Sequence, residues 1–132
     1  MRLLLDTHIW LWSMSRHDRL SRDMVRALSR ASNELWLSPV SVFEFLTLAR
    51  KGRLRSPGQD PVAWAEEALR SKPLRDAAYS REIALEAHRF ELPHADPADR
   101  MIVATARVLG LTLATTDAEI VASGVVPVLT NE

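Results

Sequence analysis

Short apolar runs alternate along the chain with segments in which apolar residues recur every three or four positions. Residues 3–5 are apolar without polar residues between them, which predicts a short strand that is buried on both faces. Residues 34–38, 111–115 and 125–129 predict three further strands, and another short strand is expected near Leu74. Helical patterns lie between these strands, so the pattern predicts strands that are joined through helices.

The helical segments carry recognisable start and stop signals. Apolar spacing, N-caps and prolines predict helices over residues 21–31, 41–51, 61–69, 80–90, 96–109 and 118–122. The helix over 96–109 gives the clearest signal, because Asp96 fits an N-cap and Pro97 the first helical position. Gly110 lies just past its end, and Gly52 stands where a left-handed cap would close the helix over 41–51.

These elements predict the fold class. Strands joined through helices pair in parallel and carry helices on both faces of the sheet. The expected fold is therefore α/β, a three-layer α/β/α sandwich with a central, mostly parallel sheet. Residues 1–132 are expected to form one domain, since the length is typical of one compact core and no linker divides the chain.

Composition narrows the function classes. The chain has 17 basic and 17 acidic residues, so a nucleic-acid contact would need local basic clusters rather than a broadly basic face. The absence of cysteine excludes a disulfide scaffold, thiol catalysis and cysteine-ligated zinc. Asp6 interrupts the first apolar run too early for a secretion signal, and no segment is typical of a membrane span. A cytoplasmic protein with no membrane contact is expected.

Four acidic residues stand at junctions between predicted elements. Asp6 and Asp117 follow two strands, and Glu44 and Asp99 lie in the first turns of two helices. The carboxyl ends of parallel strands meet at one edge of the sheet, so we expect these carboxylates to converge. Like charges a few Å apart repel by about 1–4 kcal/mol per pair, and a divalent cation would remove that repulsion. Oxygen ligands without cysteine or paired histidines favour Mg²⁺ or Mn²⁺ over zinc.

Most of these acids also have a purely structural explanation. Ser41 and Glu44 have the spacing of a capping box, in which the glutamate bonds back to the serine amide. Asp96 fits a helix cap, and Asp99 at the third helical position is favoured by the helix dipole. Asp117 could likewise do no more than cap the next helix. Asp6 resists this explanation, because a carboxylate directly after a doubly buried strand is costly to desolvate and no basic residue adjoins it.

Other polar residues lie close to the acids in sequence. Thr115, two positions before Asp117, could hydrogen-bond an acidic ligand or could serve only as a strand former. We interpret His8 and His94 as donors to loop carbonyls, since a metal-activated water needs no histidine base. Arg100 is expected to pair with a carboxylate, at the site or elsewhere on the surface.

Aromatic and basic residues indicate surfaces for partners. One small sheet would not wholly cover the segments that carry three tryptophans, namely Trp10, Trp12 and Trp64. Their side chains indicate a partner surface or, equally, pack into the core. Basic residues cluster in two places: Arg16, His17, Arg19 and Arg22, and then Arg50, Lys51, Arg53 and Arg55. The second cluster could follow an RNA backbone or form only a solvated helix end.

Four segments, taken in order, carry a resemblance to a known family. They are LLLDTH at residues 3–8, SVFE at 41–44, HADPADR at 94–100 followed by MIVATA, and TTD at 115–117. Together they resemble the PIN-domain nucleases, and in particular the VapC toxins of bacterial and archaeal toxin–antitoxin pairs. The resemblance covers essentially the whole chain. The one notable departure is Ala98, where the family commonly has an aromatic residue.

The resemblance implies a metal-dependent endoribonuclease that cuts RNA, forms a homodimer and is held inactive by a cognate antitoxin. The residues that match the family's acidic centre are Asp6, Glu44, Asp99 and Asp117. The three aspartates would hold one or two Mg²⁺ or Mn²⁺ ions, and the glutamate would orient or deprotonate the attacking water. Thr115 and Asp96 would have supporting roles.

Two other function classes compete with this interpretation. A phosphatase or dehalogenase with a strand-end aspartate nucleophile fits poorly, because such an enzyme needs a second aspartate where His8 stands. A non-catalytic module that keeps the PIN fold for binding RNA or protein is the stronger alternative. The intact set of repelling acids argues against such a module, and titration with manganese would separate the two.

Overall fold

The computed structural model describes residues 1–52 and 60–132, and within them five strands form one parallel sheet. The strands are β1 (Arg2–Leu5), β2 (Glu34–Leu37), β3 (Leu74–Asp76), β4 (Thr112–Thr115) and β5 (Val128–Thr130). Their order across the sheet is β3-β2-β1-β4-β5, and every neighbouring pair is parallel. The predicted α/β class with a parallel sheet is confirmed.

Helices connect these strands and cover both faces of the sheet. They are α1 (Thr7–Ser15), α2 (Arg22–Ser29), α3 (Pro39–Arg50), α4 (Pro61–Ser71), α5 (Arg81–Glu86), α6 (Pro97–Leu109) and α7 (Ala118–Ser123), with a short 3-10 helix at His17–Arg19. No helix in the part of the chain that the structure describes is long and apolar enough to cross a membrane.

Several element ends differ from the sequence prediction, and three of the differences have a clear physical reason. Helix α3 begins at Pro39 with Ser38 as its N-cap, because proline both ends the strand and suits the first helical position. Helix α5 ends at Glu86 instead of running to residue 90, since carbonyls beyond its end receive side-chain hydrogen bonds from Arg100. Strand β5 begins at Val128, three residues later than predicted, directly after a proline that cannot donate to the sheet.

Side chains of β1 are buried on both faces of the sheet, as predicted. Leu4 belongs to a core packed under α5, α6 and α7, whereas Leu3 and Leu5 belong to a second core under α1, α3 and α4. All three leucines are at most 1% exposed. The central strand is therefore fixed from both sides, and the residue that follows it has a well-defined position.

The tryptophans differ in their environments. Trp10 is only 1% exposed, and its ring lies 5.4 Å from that of Phe45 inside the second core. The indication that Trp10 forms a partner surface is therefore wrong. Trp64 packs edge-on against the same phenylalanine at 4.9 Å and is partly buried. Trp12 is partly exposed and lies beneath the guanidinium of Arg19.

Candidate active site

Asp6 lies at the carboxyl end of the central strand and caps helix α1. Its Oδ1 accepts a hydrogen bond from the Thr7 amide at 2.9 Å, and its Oδ2 accepts one from the Thr115 hydroxyl at 2.6 Å. The residue is only 7% exposed. Burial raises the pKa of the Asp6 carboxyl above its usual range, although the bonds from Thr115 and Thr7 work in the opposite direction. The position therefore holds a carboxylate that is hydrogen-bonded but costly to ionise.

Thr115 connects the ends of two neighbouring strands. Besides donating to Asp6, its hydroxyl oxygen accepts a hydrogen bond from the Asp117 amide at 3.0 Å. Asp117 caps α7, with Oδ1 accepting from the amides of Glu119 at 2.9 Å and Ile120 at 3.2 Å. The predicted contact between Thr115 and an acidic residue is thus present, and the cap function of Asp117 occupies one carboxylate oxygen.

Glu44 is tied to helix α1 rather than to the cap of its own helix. Its Oε1 lies 2.5 Å from the Thr7 hydroxyl, which also lies 2.9 Å from the Ser41 hydroxyl. Ser41 is fully buried inside α3, and Ser38 provides the cap of that helix. The capping-box explanation is therefore wrong, and Glu44 stands in the second turn of α3 rather than the first. Thr7 is not among the predicted site residues, although its place directly after Asp6 in the sequence is a signal that it lies at the same edge of the sheet.

Asp96 and Asp99 have separate environments at the start of α6. Asp96 is the N-cap, and its Oδ1 accepts the Asp99 amide at 2.8 Å, as predicted. The Asp99 carboxylate makes no hydrogen bond or ion pair within the described residues. Burial, together with the charges of Asp96, Asp6, Asp117 and Glu44, raises the pKa of Asp99 to about 7.

The four acids that the sequence singled out are therefore close enough for the charges of the other three to raise the pKa of Asp99. We call Asp6, Glu44, Asp99 and Asp117 the acidic cluster. Burial also raises the pKa of Glu44, with contributions from the charges of Asp96 and Asp6, while its bond to Thr7 lowers that pKa. A site that disfavours ionisation of several carboxyl groups together is one in which a cation would be stabilised.

The donors of the acidic cluster fit a divalent cation in chemistry. They are all carboxylate oxygens, the ligands that Mg²⁺ and Mn²⁺ prefer. As the side chains are placed, however, no group of three or more histidine, aspartate or glutamate residues in the ranges 1–52 and 60–132 is arranged so that it could hold a metal ion. Ligation would thus require side-chain rotation, for which Asp99, with its carboxylate unbonded, is the freest.

Arg100 pairs with no carboxylate among residues 1–52 and 60–132, so the expected ion pair is not found there. Its guanidinium donates to the carbonyls of Ala87, Phe90 and Leu92, each at 3.0 Å, and lies 5.0 Å from the Phe90 ring centroid. The planar five-donor group suits a turn with several carbonyls, which a carboxylate partner would not satisfy. Arg100 thereby fastens the start of α6, next to Asp99, to the turn after α5.

The two histidines lie in exposed positions. His8 packs its ring 5.8 Å from that of Trp12, and its charge lowers the pKa values of Asp6 and Glu44. Hydrogen bonds from His8 or His94 to loop carbonyls are not found in the part of the chain that is described.

Of the two basic clusters, the first lies wholly within the described residues and the second only in part. Arg16 pairs with Asp18 at 3.0 Å on the surface. Arg50 and Lys51 are exposed at the end of α3, whereas Arg53 and Arg55 lie outside the described residues. The suggested RNA contact of the second cluster therefore stays a prediction.

Comparison with known proteins gives consistent matches. The family model of the PIN domain matches residues 3–123. The ribonuclease VapC22 of Mycobacterium tuberculosis is 31% identical over 118 residues, which cover 87% of this chain and 86% of that protein.

Solved structures share the fold at lower identity. The VapBC2 structure from Rickettsia felis, bound to a promoter DNA fragment, has a TM-score of 0.75 at 15% identity and covers 100% of both chains. The VapBC-1 structure from nontypeable Haemophilus influenzae has a TM-score of 0.73 at 17% identity and covers 98% of both chains.

Proposed function

The chain belongs to the PIN domain family, and we propose that it is an endoribonuclease toxin that depends on a divalent metal ion. The observation that carries this proposal is the acidic cluster at the carboxyl edge of the sheet, where Asp99 has a pKa of about 7. A relative named as a ribonuclease, 31% identical over most of both chains, supports the same reaction class.

The proposal assigns metal ligation to three aspartates. Asp6, Asp99 and Asp117 would hold one or two Mg²⁺ or Mn²⁺ ions, since these side chains supply only oxygen. Such an ion lowers the pKa of a bound water and neutralises charge that develops on the phosphate and the leaving oxygen. Thr115 fixes one oxygen of Asp6, so the buried ligand keeps its orientation.

Glu44 is the residue that we assign to proton transfer. Burial raises the pKa of the Glu44 carboxyl, and a carboxylate with a raised pKa is a stronger base towards a water molecule. It is only partly buried, so RNA and water could reach it. Asp96, which caps α6 next to the acidic cluster, would act through the position of that helix and through its charge.

The competing function, a non-catalytic module of the same fold, is less well supported. Caps explain part of Asp6, Asp96 and Asp117, but no hydrogen bond in residues 1–52 and 60–132 gives the Asp99 carboxylate a structural task. Burying an unpaired carboxyl group beside other acids costs stability, and a role in metal binding would explain that cost.

An antitoxin is the protein partner that we propose, because the solved structures of similar fold include VapBC proteins and a toxin–antitoxin complex from Klebsiella pneumoniae. Its docking surface would not include Trp10, which is buried. Phe43 is 72% exposed and Val62 51% exposed, and both line an apolar cleft of about 310 Å³ between α3 and α4. Phe43 directly precedes Glu44 in α3, so the cleft and the acidic cluster share this helix. A homodimer is also proposed, from the family resemblance alone.

Cleavage assays test this function directly. The purified chain is incubated with a single-stranded RNA in Mg²⁺ or Mn²⁺ and, in parallel, in excess EDTA. We expect cleavage only with metal, and undiminished cleavage in EDTA would contradict the proposal. Calorimetric titration with Mn²⁺ separates the alternative, since a non-catalytic module without a metal site should show no binding.

A further inference from the structure

A buried hydroxyl pair connects Asp6's helix to Glu44's helix. Thr7 is the first residue of α1 and is 2% exposed, and Ser41 in α3 is fully buried. The Thr7 Oγ1 lies 2.9 Å from Ser41 Oγ and 2.5 Å from Glu44 Oε1. These are the contacts by which α1 holds the Glu44 side chain.

The hydroxyl protons determine which group donates to which. Thr7 has one hydroxyl proton but two acceptors in range, and a carboxylate is the stronger acceptor. Thr7 therefore donates to Glu44, and Ser41 supplies its own proton to the Thr7 oxygen. In this chain of hydrogen bonds, Oε1 of Glu44 accepts the bond from Thr7. The other oxygen, Oε2, accepts no hydrogen bond from the described residues.

We propose that Thr7 is a positioning residue which, supported by Ser41, holds Oε1 of Glu44 so that Oε2 is the oxygen that receives a proton from the attacking water. The proposal rests on the nuclease function given above and deepens it at the same site. A residue that fixes the orientation of a catalytic carboxylate works through hydrogen bonding, so its hydroxyl and not its bulk is the essential feature.

Thr7→Val and Thr7→Ser separate these two features. Valine keeps the shape and loses the hydroxyl, whereas serine keeps the hydroxyl and loses a methyl group. We expect Thr7→Val to lower kcat by about 10–100-fold, the usual loss for a residue that orients a functional side chain, with KM for RNA little changed. Thr7→Ser should keep most of the activity. The matched control is Thr105→Val, which removes a buried hydroxyl that donates only to the Met101 carbonyl.

Ser41→Ala tests the second hydrogen bond. In a double-mutant cycle with Thr7→Val, we expect the two losses of kcat to be less than additive, because both act through the orientation of Glu44. Fully additive losses would mean that Ser41 and Thr7 act independently and would overturn its supporting role.

A second measurement does not depend on catalysis. In a crystal structure of metal-free Thr7→Val, we expect the Glu44 side chain to leave the position seen beside residue 7, and in Thr7→Ser to keep it. The proposal is overturned if Glu44 stays in place in Thr7→Val, or if that variant cuts RNA as fast as an active parent. It is also overturned if the valine and serine variants lose kcat equally. A parent chain that cuts no RNA would instead overturn the nuclease function, while the crystal structures would still test the positioning.

Discussion

The two aspartates at the start of α6 differ in the hydrogen bonds that their carboxylates accept. The Asp96 Oδ1 accepts a hydrogen bond from the Asp99 amide in the first turn of α6, whereas the Asp99 carboxylate accepts no hydrogen bond in the described part of the chain. Asparagine caps a helix about as well as aspartate does, but it cannot replace a charged metal ligand. The two positions can therefore be distinguished by the same substitution.

Asp96→Asn should leave most activity and change stability little, whereas Asp99→Asn should abolish metal-dependent cleavage. The reason is that the first change keeps a cap and the second removes a proposed ligand. Mn²⁺ should also raise the Tm of the parent and of Asp96→Asn much more than that of Asp99→Asn. RNA cleavage and thermal melting with and without metal measure both effects. If Asp99→Asn cuts normally and Asp96→Asn is inactive, the ligand assignment is reversed.

The raised pKa of Asp99 predicts how the metal-free protein responds to pH. The pKa is about 7 in the folded state against an ordinary 3.8, so the folded state binds more protons between these values. The contribution of Asp99 to stability is fully present below pH 3.8 and is lost as pH rises through about 7. In EDTA, Asp99→Asn should therefore flatten the fall in unfolding free energy between pH 5 and pH 8.

Urea unfolding at a series of pH values measures that change. The matched control is Asp23→Asn, an exposed aspartate in the first turn of α2 that pairs with Arg26 at 3.7 Å. This control should keep the slope of the parent. A slope in Asp99→Asn equal to that of the parent would contradict the raised pKa.

At the scale of elements, the start of α6 depends on a single side chain. Arg100 donates to three carbonyls of the turn that follows α5, which closes the gap between these two helices. Helix α6 in turn carries Asp99 to the acidic cluster. The position of Asp99, a proposed metal ligand, thus depends on the hydrogen bonds that Arg100 donates to the turn after α5.

Arg100→Lys should destabilise the protein by about 1–3 kcal/mol, because one ammonium group cannot reach all three carbonyls and the unpaired ones remain partly buried. Urea denaturation measures the loss. Arg26→Lys is the control, since Arg26 is an exposed partner of Asp23 and should lose little. A loss of unfolding free energy no larger than in that control would show that water hydrogen-bonds to the carbonyls in place of the arginine.

For the whole molecule, exposure rather than apolar content decides where a partner can bind. The apolar helix α1 buries Ile9 and Trp10, whereas Phe43 of α3 and Val62 of α4 are exposed. A large exposed aromatic residue beside a cleft is typical of a protein-binding surface.

Phe43→Ser should weaken binding of the proposed antitoxin, the product of the adjacent gene, by about tenfold or more, as expected for a central aromatic contact. The control is Leu85→Ser, which removes a side chain that is 60% exposed on α5. Calorimetry with the purified partner measures both variants. Equal affinity of the parent and Phe43→Ser would place the docking surface elsewhere.

Local sequence signals predicted the strands and helices and indicated which acidic residues belong to the acidic cluster. The uninterrupted apolar run before Asp6 indicated a strand buried on two faces, and Asp96, Pro97 and Gly110 marked the ends of α6. Such features depend on residues within a few positions of each other, so a single sequence is enough to predict them. The parallel pairing of strands predicted that Asp6 and Asp117 lie at the same edge of the sheet.

Tertiary structure alone decided which of these groups touch. Thr7 and Glu44 are 37 positions apart, and Thr115 and Asp6 are 109 apart, so no local spacing predicts their hydrogen bonds. The burial of Trp10 and the carbonyl partners of Arg100 likewise depend on how whole helices pack against the sheet. A hydrogen bond requires atoms within about 3 Å, and only the packed chain brings distant segments that close.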